Sequence, residues 1–138
     1  MAYSISIAAA NTVLDTLLTN FANGVIEVRD GVRPIDSDTA ATGVVLATIP
    51  LGATPFNAAA LRSAALATPV SDLAGDANGS ATWFRMYDNS FTPNAINILD
   101  GDVGIVGSGA DMELNDNLGG TAITTADKVT VDTMAVSV

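Results

Sequence analysis

The stretch from Ala81 to Asn117, ATWFRMYDNSFTPNAINILDGDVGIVGSGADMELNDN, constrains the fold more than any other part of the chain. Its opening residues alternate as a strand does: Trp83, Arg85 and Tyr87 point one way, Phe84 and Met86 the other. Asn89 to Pro93 then read as a turn, with Ile96 to Leu99 as the hairpin partner. Asp100-Gly101-Asp102 and the glycines Gly104, Gly107 and Gly109 follow, before a short strand at Met112 to Leu114. Glycine and aspartate this closely spaced punctuate short strands and forbid a long helix.

The remainder of the chain agrees, with one exception. Tyr3, Ile5 and Ile7 alternate with Ser4 and Ser6, so residues 1–10 read as an extended arm or an edge strand. The exception is a helix over about residues 12–22. Val13, Leu14, Leu17, Leu18 and Phe21 form an apolar stripe, with Asn11 as N-cap and Gly24 beyond the end. Val25 to Arg29 is a strand closed by Asp30-Gly31, and Ile35 to Thr42 is an exposed loop. Gly43 to Leu51 is an apolar run of strand length with both faces covered. Asn57 to Leu66 reads as loop with a short strand near Leu61 to Leu66, and Pro69 to Gly79 as loop. In Lys128 to Val138 the apolar parity changes after Thr133, which calls for a bulge or a change of sheet. With no linker or repeat, the expectation is one mainly β domain over 1–138, a sandwich or jelly roll carrying one short helix.

Charge narrows the partners. The net charge is −10, with only Arg29, Arg33, Arg62, Arg85 and Lys128 basic. Such a chain is repelled by nucleic acid and by anionic membranes, so neither is an expected partner. There is no cysteine and no histidine, hence no disulfide, no thiolate metal site and no histidine base. The opening lacks the basic start and apolar run of a secretory signal, and no stretch nears the roughly 20 residues that span a bilayer. Synthesis in the cytoplasm, and solubility there until assembly, is the expectation. Alanine dominates the apolar fraction and buries little area per residue, which suits close subunit contacts or plain loops equally.

Four groups of residues invite a functional reading. The glycine ladder from Gly101 to Gly109 lacks GxGxxG, lacks a Walker lysine and is followed by no helix, so turns explain it. Ser108 lies between glycines like a nucleophile, yet no histidine exists to take its proton. Asp100, Asp102, Asp111, Glu113 and Asp116 sit beside turn glycines, where aspartate is favoured for backbone reasons. A weak calcium site at Asp100, Asp102, Asp111 and Glu113 is the lesser alternative. Trp83, Phe84, Tyr87 and Phe91 read as core plus a packed second face, ahead of a carbohydrate platform. Arg85, on the Trp83 face, is expected to pair with a nearby acid.

These elements together resemble a known family. Carrying the resemblance are Gly43-Val-Val-Leu-Ala-Thr-Ile-Pro, Gly79-Ser-Ala-Thr-Trp-Phe-Arg-Met-Tyr-Asp, Leu99-Asp-Gly-Asp-Val-Gly and Gly109-Ala-Asp-Met-Glu-Leu-Asn-Asp-Asn, ahead of a valine- and threonine-rich last strand. From Asn11 onward the chain is similar to a small structural protein of tailed-bacteriophage virions. The resemblance implies a capsid decoration (cement) protein outside the shell, a homotrimer that clamps subunits of the major capsid protein, with no cofactor and no catalysis. A neck, tail or fibre component is the structural alternative, and a carbohydrate-binding module for host surfaces the non-structural one. Asp100 to Asp102 and Gly109 to Leu114 carry over as turns only. The family pattern has a glycine before the last strand, where this chain has Ala126-Asp127. Tyr3, Ile5 and Ile7 are the interface candidates: an arm that adds as a strand to a neighbour, or an edge strand of their own sheet.

Overall fold

The computed structural model describes residues 3–90, 96–115 and 120–138. Among these residues the one helix, α1, spans Ile7–Thr19 and starts earlier than expected. The Ser6 hydroxyl accepts a hydrogen bond from the Ala9 N–H at 3.1 Å, capping the first turn. Ala8, Ala9 and Ala10 then supply the best helix formers available, which outweighs the short alternation of Tyr3, Ile5 and Ile7. Residues 3–10 are therefore no strand: Ile7 to Ala10 are helix, and Tyr3 to Ser6 pair with nothing in a ladder. Asn11 is not the cap; its Oδ1 accepts from the Arg62 N–H at 3.0 Å. Asn20 closes the helix, and tight turns carry the chain to Gly24.

Among the described residues ten strands follow: β1 Val25–Arg29, β2 Val45–Pro50, β3 Ser63–Ala65, β4 Val70–Asp72, β5 Gly79–Ser80, β6 Trp83–Tyr87, β7 Ile98–Ile105, β8 Met112–Leu114, β9 Ala122–Ile123 and β10 Val129–Ser137. Eight of them form one sheet in the order β2-β1-β6-β7-β8-β10-β3, with β4 also on β10, while β5 and β9 make a small ribbon. Pairing is antiparallel except between β7 and β8. The sheet curls until its far parts touch. The Thr48 N–H of β2 donates to Asp72 Oδ2 of β4 at 3.0 Å, and Asp76 N–H donates to Leu46 O at 2.8 Å. The mainly β, one-helix reading thus holds, and the layers that cover the core belong to one curled sheet.

The core follows the period-two pattern. Ile26, Val28, Phe84 and Met86 point inward from β1 and β6 and meet Leu46, Ile49, Met112 and Leu114. Leu14, Leu18 and Phe21 bring the helix onto the same cluster. β10 spans its length because of the parity change: Val129 and Val131 are buried, the register shifts between Val131 and Thr133, and Met134 and Val136 are buried beyond it. Pro69 to Gly79, read as loop, contains β4, recruited by the first half of β10. The turn at Ala126-Asp127 needs no glycine, since the Asp127 carboxylate accepts from Thr124 N–H at 2.7 Å and its own N–H donates to Thr124 O at 3.0 Å. The expected turn residues Phe91 to Pro93, together with Asp116, lie outside the described residues.

Candidate interaction surface

Register puts the polar face of β1, β6 and β7 in rows. Glu27, Arg85 and Asp100 align across the three strands, and so do Arg29, Trp83 and Asp102. Arg85 meets Asp100 through two bonds of 2.7 Å, Nε to Oδ1 and Nη2 to Oδ2, with side chains only 4% and 7% exposed. That bidentate pair bears out the expected pairing of Arg85 with a nearby acid and raises its pKa further, through the Asp100 hydrogen bonds against the opposing effect of burial. Arg29 donates to Glu27 from both Nε and Nη2, and the Tyr87 hydroxyl donates to Glu27 at 3.2 Å. Burial, with the Glu27 charge behind it, pushes the Tyr87 phenol up. Both guanidinium groups lie over the Trp83 ring, at 5.9 and 5.6 Å from its centroid.

The loop over residues 30–44 covers this face. Arg85 donates to Thr39 O at 2.9 Å, and Arg29 to Thr42 O and Gly43 O at 3.4 and 3.2 Å. The Trp83 indole donates to Asp30 O at 3.0 Å, Thr82 to Gly31 O at 2.7 Å, and Arg33 reaches Asp102 at 3.4 Å. Trp83 is consequently 1% exposed, which removes it as a carbohydrate platform. Phe84 is core, Tyr87 is half-buried, and Phe91 lies outside the described residues.

The acidic group is held by its own chain. Asp100 is engaged by Arg85, and Asp111 Oδ2 accepts from Asp102 N–H at 2.9 Å. Glu113 accepts from Gly107 and Gly109 N–H at 3.1 and 2.9 Å, and those bonds, in the order Gly109 then Gly107, lower its pKa. Gly107 and Gly109 have φ of 83° and 78°, the left-handed turn their positions demand. The described residues contain no group of three or more acidic, histidine or cysteine side chains placed to hold a metal. Gly101 has a packing reason instead: a Cβ there would lie 2.5 Å from the Phe84 ring, its cross-strand partner. Ser108 Oγ accepts from the Ala110 N–H at 3.3 Å, a bond internal to its turn.

Asp88 organises the β6–β7 hairpin. Its carboxylate accepts from Ser90 N–H and Oγ, and from Asn97 N–H and Nδ2. Burial pushes its pKa up, but the Ser90 hydroxyl and the Asn97 amides outweigh it and hold the carboxyl far below its ordinary range.

The surface also carries large exposed apolar side chains. Tyr3 is 87% exposed, and Ile5 and Ile7 are about half exposed beside it. Arg62 ties this segment to its neighbours, donating from Nη2 to Ile5 O and accepting the Val138 N–H at its carbonyl. Leu61, next to Arg62, is exposed at the tip of a two-residue turn with φ of 50° and 68°. Such a turn normally takes Asn-Gly, and nothing in the composition of Leu61-Arg62 announces it. The second apolar display, Val32 and Ile35 on the covering loop, also escaped the sequence reading. The available signal was two branched apolar residues in an otherwise polar segment.

No family model, curated protein or solved structure matches the chain. Among the described residues no helix is long and apolar enough to cross a membrane.

Proposed function

We propose that this chain is a non-enzymatic structural protein of a bacteriophage virion, a capsid decoration (cement) protein that binds the outer shell. It stabilises contacts between major capsid subunits as a homotrimer, and is made in the host cytoplasm before assembly. The observation that carries this reading is the set of large exposed apolar side chains on the segments that Arg62 ties together by bonds to their backbones: Tyr3, Ile5, Ile7, Leu61 and Val138. A monomer gains nothing by leaving such residues in water, whereas contacts between copies or with a shell gain the burial of each, about 1.5–3 kcal/mol for an aliphatic side chain. The ionisable groups with shifted pKa values are engaged in holding turns and strands together, as Asp88, Arg85 and Glu113 are, which fits a building block better than a catalyst.

Cryo-electron microscopy of the virion is the direct test. Hundreds of copies on the shell exterior are expected, and a shell surface without this chain would refute the reading. A few copies per particle would move it to the neck, tail or fibre. Light scattering should return a trimer in solution or on the shell, and a Tyr3→Ser, Ile5→Ser variant should lower that mass.

A further inference from the structure

The covering loop has a feature that stability alone does not require. Of the five basic residues in the chain, Arg29, Arg33 and Arg85 all hold residues 30–44 in place. Two of the three are nearly buried, which costs solvation that an ion pair only roughly recovers. Their remaining donors go to the carbonyls of Thr39, Thr42 and Gly43, so the cations fix the path of a loop. Thr42 Oγ1 adds a bond to Val32 O at 2.8 Å, and Asp36 Oδ1 accepts from both Thr39 N–H and Thr39 Oγ1 at 2.8 Å. On this fixed frame Val32 is 83% and Ile35 95% exposed. Branched side chains held out in water on a preformed loop have paid their ordering cost before any encounter.

We infer that the 30–44 loop is a docking element for another protein, whose matching surface is an apolar socket rimmed by lysine or arginine side chains. Ile35 and Val32 are the anchors, and the exposed Asp36 and Asp38 beside them meet the basic rim. Charge excludes a second copy of this chain as occupant. With net charge −10 and Arg29 and Arg85 nearly buried in the clamp, a copy has only Arg62, Lys128 and Arg33, already paired with Asp102, to set against the acids of its neighbour. Arg62 is itself bound to the Ile5 carbonyl. Nucleic acid is excluded by the same sign of charge. The partner is therefore a different, basic polypeptide. The inference rests on the proposed function only in taking a protein surface as the partner, and it assigns that contact to residues distinct from the set that Arg62 ties together.

The test has two arms. In the first, amide NMR of the intact protein is recorded with an amphipathic leucine–lysine peptide and with its leucine–glutamate counterpart. The lysine peptide should perturb Val32, Ile35, Asp36 and Asp38 before other sites, and the glutamate peptide should leave them unmoved. Shifts spread evenly over the acidic surface, or none at the loop, overturn the inference. In the second, shells stripped of this protein are titrated with wild type, Ile35→Ser and Asp38→Lys, all checked for unchanged thermal unfolding. Ile35→Ser should bind about 10- to 100-fold more weakly, the loss of one buried aliphatic anchor. Asp38→Lys should weaken binding about fivefold or more, with a smaller salt dependence. Wild type that binds shells while Ile35→Ser binds equally overturns the loop's role and leaves the proposed function standing. Wild type that fails to bind shells refutes the proposed function, and the peptide map then decides the loop alone. An Ile35→Ser variant that breaks up a homo-oligomer makes the loop a copy–copy contact and overturns the inference.

Discussion

Arg85→Met tests the clamp at its centre. The variant keeps the aliphatic stem but strands the Asp100 carboxylate, 7% exposed, opposite a thioether. Removing one partner of a buried, doubly bonded pair costs about 3–5 kcal/mol, because the remaining charge is left in a poorly solvated place. Loss of the 2.9 Å bond to Thr39 O adds about 1 kcal/mol. The sum, about 4–6 kcal/mol, is a large part of the 5–15 kcal/mol typical of a domain. At about 3–4 °C per kcal/mol for a chain of this size, Tm should fall by about 12–24 °C. Arg85→Met with Asp100→Leu removes both charges and should recover most of the loss, to within about 1–2 kcal/mol of wild type. Urea denaturation followed by Trp83 fluorescence suits the assay, since Trp83 is the sole tryptophan and lies beneath both guanidinium groups. Arg85→Met alone should also shift native emission to the red as residues 30–44 loosen. If the single variant costs under about 1 kcal/mol, or the double variant is no better than the single, the clamp does not hold the loop as argued.

Gly101→Ala should destabilise by about 1–3 kcal/mol, measured by urea titration, because a methyl group meets the Phe84 ring within the core. Leu61→Asn should stabilise by about 0.5–1 kcal/mol, since asparagine tolerates the left-handed φ of 50° that leucine resists; an unchanged or lowered Tm refutes it. Acid should weaken the fold with a defined sign. Asp88 has a depressed folded pKa, so its contribution is complete above the ordinary carboxylate range and fades as pH falls below about 4. Asp36 and Glu113 act in the same direction. Asp88→Asn should therefore show a flatter stability curve between about pH 5 and 2 than wild type, and a parallel curve counts against it.

Much of the fold was legible because side-chain parity was legible. Trp83 to Tyr87 is the strand its alternation announced, Val25 to Arg29 and Met112 to Leu114 are strands with the bounds read between their turn residues, and the parity change in the last strand is a register shift in β10. Local pattern failed where tertiary partners decide. β4 and β9 are too short to have a period, and exist because β10 and β5 offer them a ladder. The helix start failed for a different reason: alternation over Tyr3 to Ile7 is five residues long, and Ser6 with three alanines overrules it. Of the candidate sites, Tyr3, Ile5 and Ile7 are exposed as an interface requires, Ile7 from the helix and not from a strand. Of the acidic residues read as turn carboxylates, Asp100 and Asp102 are instead within β7 and Glu113 within β8, because β6 pairs along the whole Asp-Gly-Asp stretch and β8 pairs with β7 just beyond it. Only the bonds from Gly107, Gly109 and Asp102 N–H to Glu113 and Asp111 follow from sequence proximity.

The clamp, by contrast, combines local and long-range information. Alternation placed Trp83, Arg85 and Tyr87 on one face, and this much a sequence can state. That Glu27 and Asp100 flank Arg85 in one row depends on register across β1, β6 and β7, which nothing local specifies. A slip of one residue in β6 would drive Arg85 into the core and Phe84 out beneath the loop, so core packing and loop position are selected by the same register. Scarcity of positive charge makes this coupling informative about function. In a chain rich in lysine, three arginines around one loop would mean little. Here three of five cations converge on residues 30–44, and the side chains thereby held outward are Val32 and Ile35. A protein that needed only solubility could have left those arginines at the surface and the loop free.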